Sequence, residues 1–186
     1  MTPVIGIVGW KNSGKTTLTV RLVEEFARRG LKVSTIKHAH HRFEIDGGTT
    51  DSARHRSAGA GEVAVVSPER WAIVGELRGQ PEPDLNDVIA KLAPCDLILV
   101  EGYKSHPIPK IEARRFDAFD KRPIAECDML VLAVAADHPV GSRHRPSFDL
   151  DDISGMADFL ERTVGPFGPV SRKTTTPHGA SPALAN

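Results

Sequence analysis

Sulfur, charge imbalance and long apolar runs are what this chain has least of. Two cysteines stand among 186 residues, Cys95 and Cys127. That is too few for a disulfide framework or a cysteine-built zinc set, and a reducing compartment is expected. Lysine plus arginine number 24 and aspartate plus glutamate number 24. With no net charge, the chain is not built to neutralise a nucleic-acid backbone or an anionic membrane. No apolar run approaches the roughly 18 residues of a membrane span. The segment from Met1 to Gly9 has neither the basic start nor the small-residue cleavage site of a secretory leader. Neither nucleic acid nor membrane is therefore an expected partner, and a cytoplasmic location is expected. What remains is ordinary for a globular protein, 40% hydrophobic and 26% charged residues, in a length that suits one domain.

The order of patterns along the chain points to an α/β fold. Val4 to Val8 is a short apolar run, followed by a glycine-rich turn. A helical stripe of Leu18, Leu22 and Phe26 comes next, closed by Gly30. Residues 32–36 then alternate as a strand should, completing a strand–loop–helix–strand unit. Two β-rich runs, 62–67 and 70–75, are separated only by Pro68 and Glu69 and form a small β-rich insertion. Asp84 and Asp87 can cap a helix carrying Leu85, Val88, Ile89 and Leu92. Runs 96–100 and 129–134 are almost wholly apolar, as strands buried on both faces are. A last helix is expected over 151–163, with Ile153, Met156, Ala157 and Leu160 facing inward. The expected architecture is a mostly parallel twisted sheet with flanking helices over residues 1–164. A disordered tail is expected over 165–186, where apolar anchors are few.

Chemistry concentrates at Gly9-Trp-Lys-Asn-Ser-Gly-Lys-Thr16, which has the spacing of the Walker A phosphate-binding loop (P-loop). Glycines let the backbone turn so that successive N–H groups face phosphate oxygens, and the following helix N-terminus adds partial positive charge. Lys15 is expected on the β- and γ-phosphates and the Thr16 hydroxyl on Mg²⁺. Gly9, Asn12, Ser13, Gly14, Lys15, Thr16 and Thr17 are thus the predicted nucleotide contacts. Glu101 directly follows an apolar strand, and ligands of parallel sheets bind at strand carboxyl ends. It is the predicted acid for Mg²⁺ or its water, with Gly102 allowing close approach of a γ-phosphate. Asp96 lies about 16 Å back along the same strand and is rejected for that role. Asp137, beyond the last apolar run, is placed to accept hydrogen bonds from a nucleotide base. Guanine over adenine does not follow from the residues, because no Asn-Lys-x-Asp motif is present.

The stretch His38 to Arg56 contains His38, His40, His41 and His55 at spacings unlike a zinc set. It reads as a polar loop near the nucleotide. Asp46 and Asp51 are candidates for the Mg²⁺ hydration shell, and Arg42, Arg54 and Arg56 for an anion. Trp10 and Trp71 read as packing groups, and Phe116 to Asp120 gives no interpretable pattern.

Taken together, the phosphate loop through Thr17, Thr35-Ile-Lys-His-Ala-His-His41, Asp51-Ser-Ala-Arg-His-Arg-Ser-Ala-Gly-Ala60 and Val100-Glu-Gly-Tyr-Lys104 resemble the molybdopterin-guanine dinucleotide biosynthesis adapter family, MobB. The resemblance runs over about residues 3–163. It implies a GTP-binding P-loop protein, usually dimeric, with weak Mg²⁺-dependent GTP hydrolysis at most. Such a protein assists the MobA-type guanylyltransferase that joins GMP to molybdopterin, and molybdopterin itself is a candidate ligand. Two positions depart from the pattern. Thr49-Thr50 stand where a Gly-Lys pair is expected. Trp10 stands where related dimeric ATPases carry a second signature lysine, so an in-trans lysine is not supported there. The competing reading is a small-molecule kinase with Glu101 as base and Arg54 and Arg56 clamping the acceptor.

Overall fold

A computed structural model describes residues 2–39, 45, 49–141 and 145–168. The chain divides into two compact units, one made of Met1–Lys37 with the chain from Pro94 on, the other His38–Ala93.

The first unit holds a six-stranded sheet. Its strands are β1 (Val4–Val8), β2 (Val33–Lys37), β5 (Leu97–Glu101), β6 (Lys110–Arg114), β7 (Val131–Ala136) and β8 (Ser147–Asp149). They lie in the order β2-β5-β1-β6-β7-β8, and every pairing is parallel. β1 therefore has β5 on one side and β6 on the other, so the strand order reverses at its carboxyl end. That switch point is where open parallel sheets bind ligands.

Helix α1 (Lys15–Arg28) follows β1 directly, and its stripe of Leu18, Leu22 and Phe26 is buried against the sheet. Gly30, at φ 86°, closes it: its N–H meets the Ala27 carbonyl at 2.9 Å, and the Leu31 N–H meets that of Phe26 at 3.0 Å. Only a residue comfortable in the left-handed region lets both bonds form, which is the reason for glycine here. Helix α4 (Ile153–Thr163) is capped by Asp152 and lays Met156, Ala157 and Leu160 on the same face of the sheet. Arg29 ties α4 to α1 through Asp158 at 2.7 Å and Glu161 at 2.9 Å. The opposite face of the sheet is covered around Val8, Val131, Val134 and Ala136 by a short 3₁₀ turn, Ile124–Glu126.

The second unit contains the expected hairpin, β3 (Glu62–Val66) with β4 (Trp71–Gly75), antiparallel with Val66 opposite Trp71. The Ser67 hydroxyl fastens its turn by accepting the Arg70 N–H at 3.1 Å. Helix α3 (Leu85–Ala90) begins at Asp84, and the reciprocal bonds of a capping box with Asp87 are both made.

Several expectations differ from what is observed. Strands β6 and β8 were not among those anticipated. The apolar strand near 129 starts later, at Val131, because Met129 is 86% exposed. Within the polar stretch after His38 there is a helix, α2 (Asp51–Ser57), and Thr50 is its N-cap, accepting the Ala53 N–H at 3.3 Å. One threonine of the departing Thr49-Thr50 pair thus has a local backbone role. Trp71, expected to pack, is 68% exposed. Phe167, expected in the tail, is buried and meets Phe26 edge-to-face with ring centroids 5.5 Å apart. Packed chain therefore continues past residue 164. Residues 169–186 of the tail, and His40, His41, Arg42 and Asp46, lie outside the described residues.

Candidate nucleotide site

The loop between β1 and α1 takes its shape from three backbone positions. Gly9 has φ 151°, and a Cβ there would collide with the Ser13 side chain and the Ala113 carbonyl. Asn12 (φ 62°) and Gly14 (φ 89°) are left-handed, and Gly14 is the N-cap of α1 with no side chain to occupy its first N–H groups. The helix therefore presents unfilled donors and partial positive charge toward the loop. Ser13 is buried, and its hydroxyl has no partner among the described residues.

Lys15 donates to the Trp10 carbonyl at 2.6 Å, which lays its stem along the loop. Burial pushes its ammonium down from the ordinary lysine range. Glu101 opposes that, while Lys104 and Lys37 add to it, and the net shift is downward. Burial is the main cause, and a bound polyanion would favour the charged form.

Glu101 ends β5, beside β1, and its carboxylate accepts the Thr16 hydroxyl at 2.8 Å. Two hard oxygens, one from the first turn of α1 and one from the end of β5, are thus side by side. Among the described residues no group of three or more His, Cys, Asp and Glu side chains converges that could hold a metal ion alone. A hydroxyl and one carboxylate do fit Mg²⁺ when phosphate oxygens and water complete its shell, which is the usual way this ion is held at phosphates. Gly102 follows at φ 102°, and its N–H is held by the Ile7 carbonyl at 3.1 Å. Asp96 precedes the other end of β5, where it accepts the Lys32 N–H at 2.7 Å, away from the phosphate loop.

Asp137 lies directly after β7, at the same edge of the sheet but two strands from β1. One of its oxygens accepts both the Phe116 N–H at 2.8 Å and the His138 ring nitrogen at 2.9 Å. The hydrogen bond with His138, helped by the Phe116 N–H, holds this carboxyl below the usual carboxylate range. Beside the loop is a cleft lined by Trp10, Ser13, Arg114, Arg115, Asp120 and His138, the residue that follows Asp137. The uninterpreted run 116–120 forms part of its wall.

The structure thus brings Gly9, Asn12 through Thr17, Glu101 and Gly102 together at the adjacent carboxyl ends of β1 and β5, with Asp137 two strands away at the same sheet edge. Asp51, Arg54 and Arg56 belong to the second unit, where Arg56 pairs with Glu76 at 3.1 Å. Two groups were missed from the sequence. Lys37 ends β2 with its ammonium 3.3 Å from the Glu101 carboxylate. Arg115 lies against the loop, its Nε 3.0 Å from where a Cβ on Gly14 would be. Lys37 stands inside the Lys-His-x-His-His motif, but that motif does not show what the lysine faces; Arg115 follows a strand that the pattern did not show. Trp10 replaces a signature lysine with a ring over which Lys104 stands at 3.9 Å and Arg122 at 4.7 Å.

A parallel sheet with its switch point at β1, a glycine-shaped loop into a helix N-terminus, and a strand-end acid on the loop threonine define a P-loop nucleotide-binding protein. The comparisons with known proteins narrow this. The model of the family MobB, molybdopterin guanine dinucleotide synthesis protein B, matches residues 4–137. The molybdopterin-guanine dinucleotide biosynthesis adapter protein of Haemophilus influenzae is 40% identical over 168 residues, 89% of this chain and 91% of that one. The protein of the same name from Escherichia coli K12 is 36% identical over 162 residues, 86% of this chain and 92% of that one. A crystal structure of a MobB homolog from Bacillus stearothermophilus superposes with a TM-score of 0.64 at 31% identity, covering 87% of this chain and 97% of that one. The chain belongs to the MobB family. That membership sides with the adapter reading against the small-molecule kinase.

Proposed function

We propose that this protein is a GTP-binding adapter of molybdenum-cofactor maturation, which binds GTP with Mg²⁺ and serves a guanylyltransferase in attaching GMP to molybdopterin. The observation that carries the nucleotide part is the Thr16–Glu101 contact at the start of α1, 2.8 Å long, beside the loop that presents Lys15. Gly9 and Asn12 through Thr17 cradle the phosphates with backbone N–H groups, and Lys15 neutralises the terminal ones. Thr16 and Glu101 hold the metal or its water, and Gly102 leaves room for the γ-phosphate. Asp137 accepts from the base edge through the oxygen that does not fasten Phe116. Bound Mg²⁺ supplies charge neutralisation at the β- and γ-phosphates. The guanine preference and the partner enzyme rest on the names of the relatives, which refer to a guanine dinucleotide and an adapter. The working form is a homodimer in the cytoplasm.

Calorimetric titration with GTP and ATP, with and without Mg²⁺, tests this reading. The expected outcome is Mg²⁺-dependent GTP binding that is tighter than ATP binding and is lost, by ~100-fold or more, in Lys15→Ala. An ATP preference, or no effect of Lys15→Ala, overturns it. Retention of the guanylyltransferase on the immobilised, GTP-loaded protein then tests the partner.

A further inference from the structure

Lys37 belongs to a motif that the nucleotide reading does not use, and its position is specific. It is the last residue of β2, in register with Glu101, the last residue of β5. On adjacent parallel strands, in-register side chains project to the same side, so a lysine and a glutamate leave the sheet together. The Lys37 ammonium is 3.3 Å from the Glu101 carboxylate oxygen and 3.5 Å from the Thr16 hydroxyl oxygen. Those are the two oxygens that fit Mg²⁺.

We infer that Lys37 is a built-in counter-ion that competes with Mg²⁺ for the Thr16–Glu101 pair and partly replaces it when nucleotide binds without metal. The inference rests on the nucleotide reading above. Mg²⁺ requires oxygens at about 2.0–2.1 Å in near-octahedral array, and an ammonium at hydrogen-bond distance from the same oxygens stands in its way. Lys37 is able to leave. Its side chain is 61% exposed on a flexible four-carbon stem, whereas that of Glu101 is 11% exposed and fixed in the sheet. A solvated ion pair of this kind is weak and yields to a divalent ion. While it lasts, it offsets the charge of a carboxylate that would repel a polyphosphate at the loop.

Two effects on binding follow, and they go in opposite directions. Lys37→Met keeps the stem and removes the charge. With a fluorescent GTP analogue in EDTA, the variant is expected to bind roughly tenfold more weakly than the parent protein, because Glu101 then faces the phosphates unneutralised. In a Mg²⁺ titration the same variant is expected to need about threefold less metal for half-maximal enhancement, and to match the parent within about twofold at saturation. Mn²⁺ binding followed by electron paramagnetic resonance gives an independent readout of the same competition. Lys37→Arg retains the charge and is expected to preserve the metal-free affinity. An unchanged or raised Mg²⁺ midpoint in Lys37→Met overturns the proposal. Equal losses in EDTA and at saturating Mg²⁺ also overturn it, since they describe a plain phosphate ligand. Lys15→Ala separates the two levels. If it leaves GTP binding intact, the nucleotide reading fails and takes the proposal with it. If it abolishes binding while the Lys37→Met midpoint stays flat, only the proposal falls.

Discussion

β5 and β6 flank β1 on its two sides, both five residues long, both parallel to it and both buried. Their sequences could hardly differ more. β5 reads Leu-Ile-Leu-Val-Glu and keeps its one charge for the strand end. β6 reads Lys-Ile-Glu-Ala-Arg and sets a charge at every second position. Both glutamates are buried, Glu101 at 8% exposure and Glu112 at 1%, yet their partners divide them. Glu112 is enclosed by donors of the fold: the Ile124 N–H at 3.0 Å, the Ala125 N–H at 2.8 Å and the Arg114 guanidinium at 2.7 Å. Among the described residues, Glu101 receives the Thr16 hydroxyl at the start of α1 and the solvated Lys37 ammonium. A buried carboxylate whose donors all belong to the scaffold is structural. One whose donors stand at a ligand loop is left for chemistry. At the other end of β6, Lys110 is 1% exposed and paired with Asp128 at 2.8 Å, so its charge is likewise assigned to the fold.

The largest effect is expected from stranding that lysine. Asp128→Ala removes the carboxylate from an ammonium with no access to water and is expected to cost about 3–5 kcal/mol in urea unfolding. Acid tests the same contact. Burial pushes the Asp128 carboxyl up, but the Lys110 ammonium, the Leu130 N–H and the charge of Arg145 outweigh it and hold the carboxyl below the ordinary aspartate range. Because the folded value is the lower one, the contribution is fully present above the unfolded aspartate value of about 3.9 and is lost as pH falls through the folded value. Stability of the parent is expected to drop in that window, with a shallower slope in Asp128→Ala. An equal slope would show that other carboxylates control acid unfolding.

This contrast also explains what the sequence made legible. β1, α1, β5, β7 and α4 are visible because apolar residues recur at strand or helix spacing, and the phosphate loop because its glycines and lysine have fixed offsets. β6 is invisible to the same test: Lys110, Glu112 and Arg114 alternate with Ile111 and Ala113 in the pattern of a half-exposed edge, and partners of Lys110 and Glu112 12 to 18 residues on make their burial tolerable. α2 was lost for a different reason, being seven residues long with one buried side chain, Ala53. At the site, Glu101 was legible from its place at a strand end. Lys37 was not, since its meaning comes from the pairing of β2 with β5, which is not written in either segment alone. Arg115 depends in turn on β6.

A smaller effect is expected from Glu112→Gln. The amide oxygen can accept one of the two backbone N–H groups, but its NH₂ then faces the other donor, and Arg114 loses its counter-charge. Arg114 Nε is already buried without a hydrogen-bond partner among the described residues. About 2–3 kcal/mol is expected in unfolding, while GTP affinity per folded molecule stays within a few-fold of the parent. A loss of GTP binding at unchanged stability would reverse the assignment and place Glu112 among the ligand groups.

Glu101→Gln, the matching change on the other side of β1, is expected to do least to stability and most to the metal. The amide oxygen still accepts the Thr16 hydroxyl, and the lost pair with Lys37 is solvated, so the urea midpoint should shift by no more than about 1 kcal/mol. The Mg²⁺ enhancement of GTP binding should shrink by roughly tenfold or more, because a neutral amide is a poor ligand for a hard divalent ion. Metal-free binding should be retained, since a negative charge beside the phosphates has been removed. The pair of variants thus separates two buried glutamates about equally close to the phosphate loop in sequence register, opposite Ile7 and Val8 of β1. If Glu101→Gln instead unfolded the protein as readily as Glu112→Gln while leaving the Mg²⁺ dependence unaltered, donor identity would not distinguish a structural carboxylate from a metal-binding one at this sheet edge.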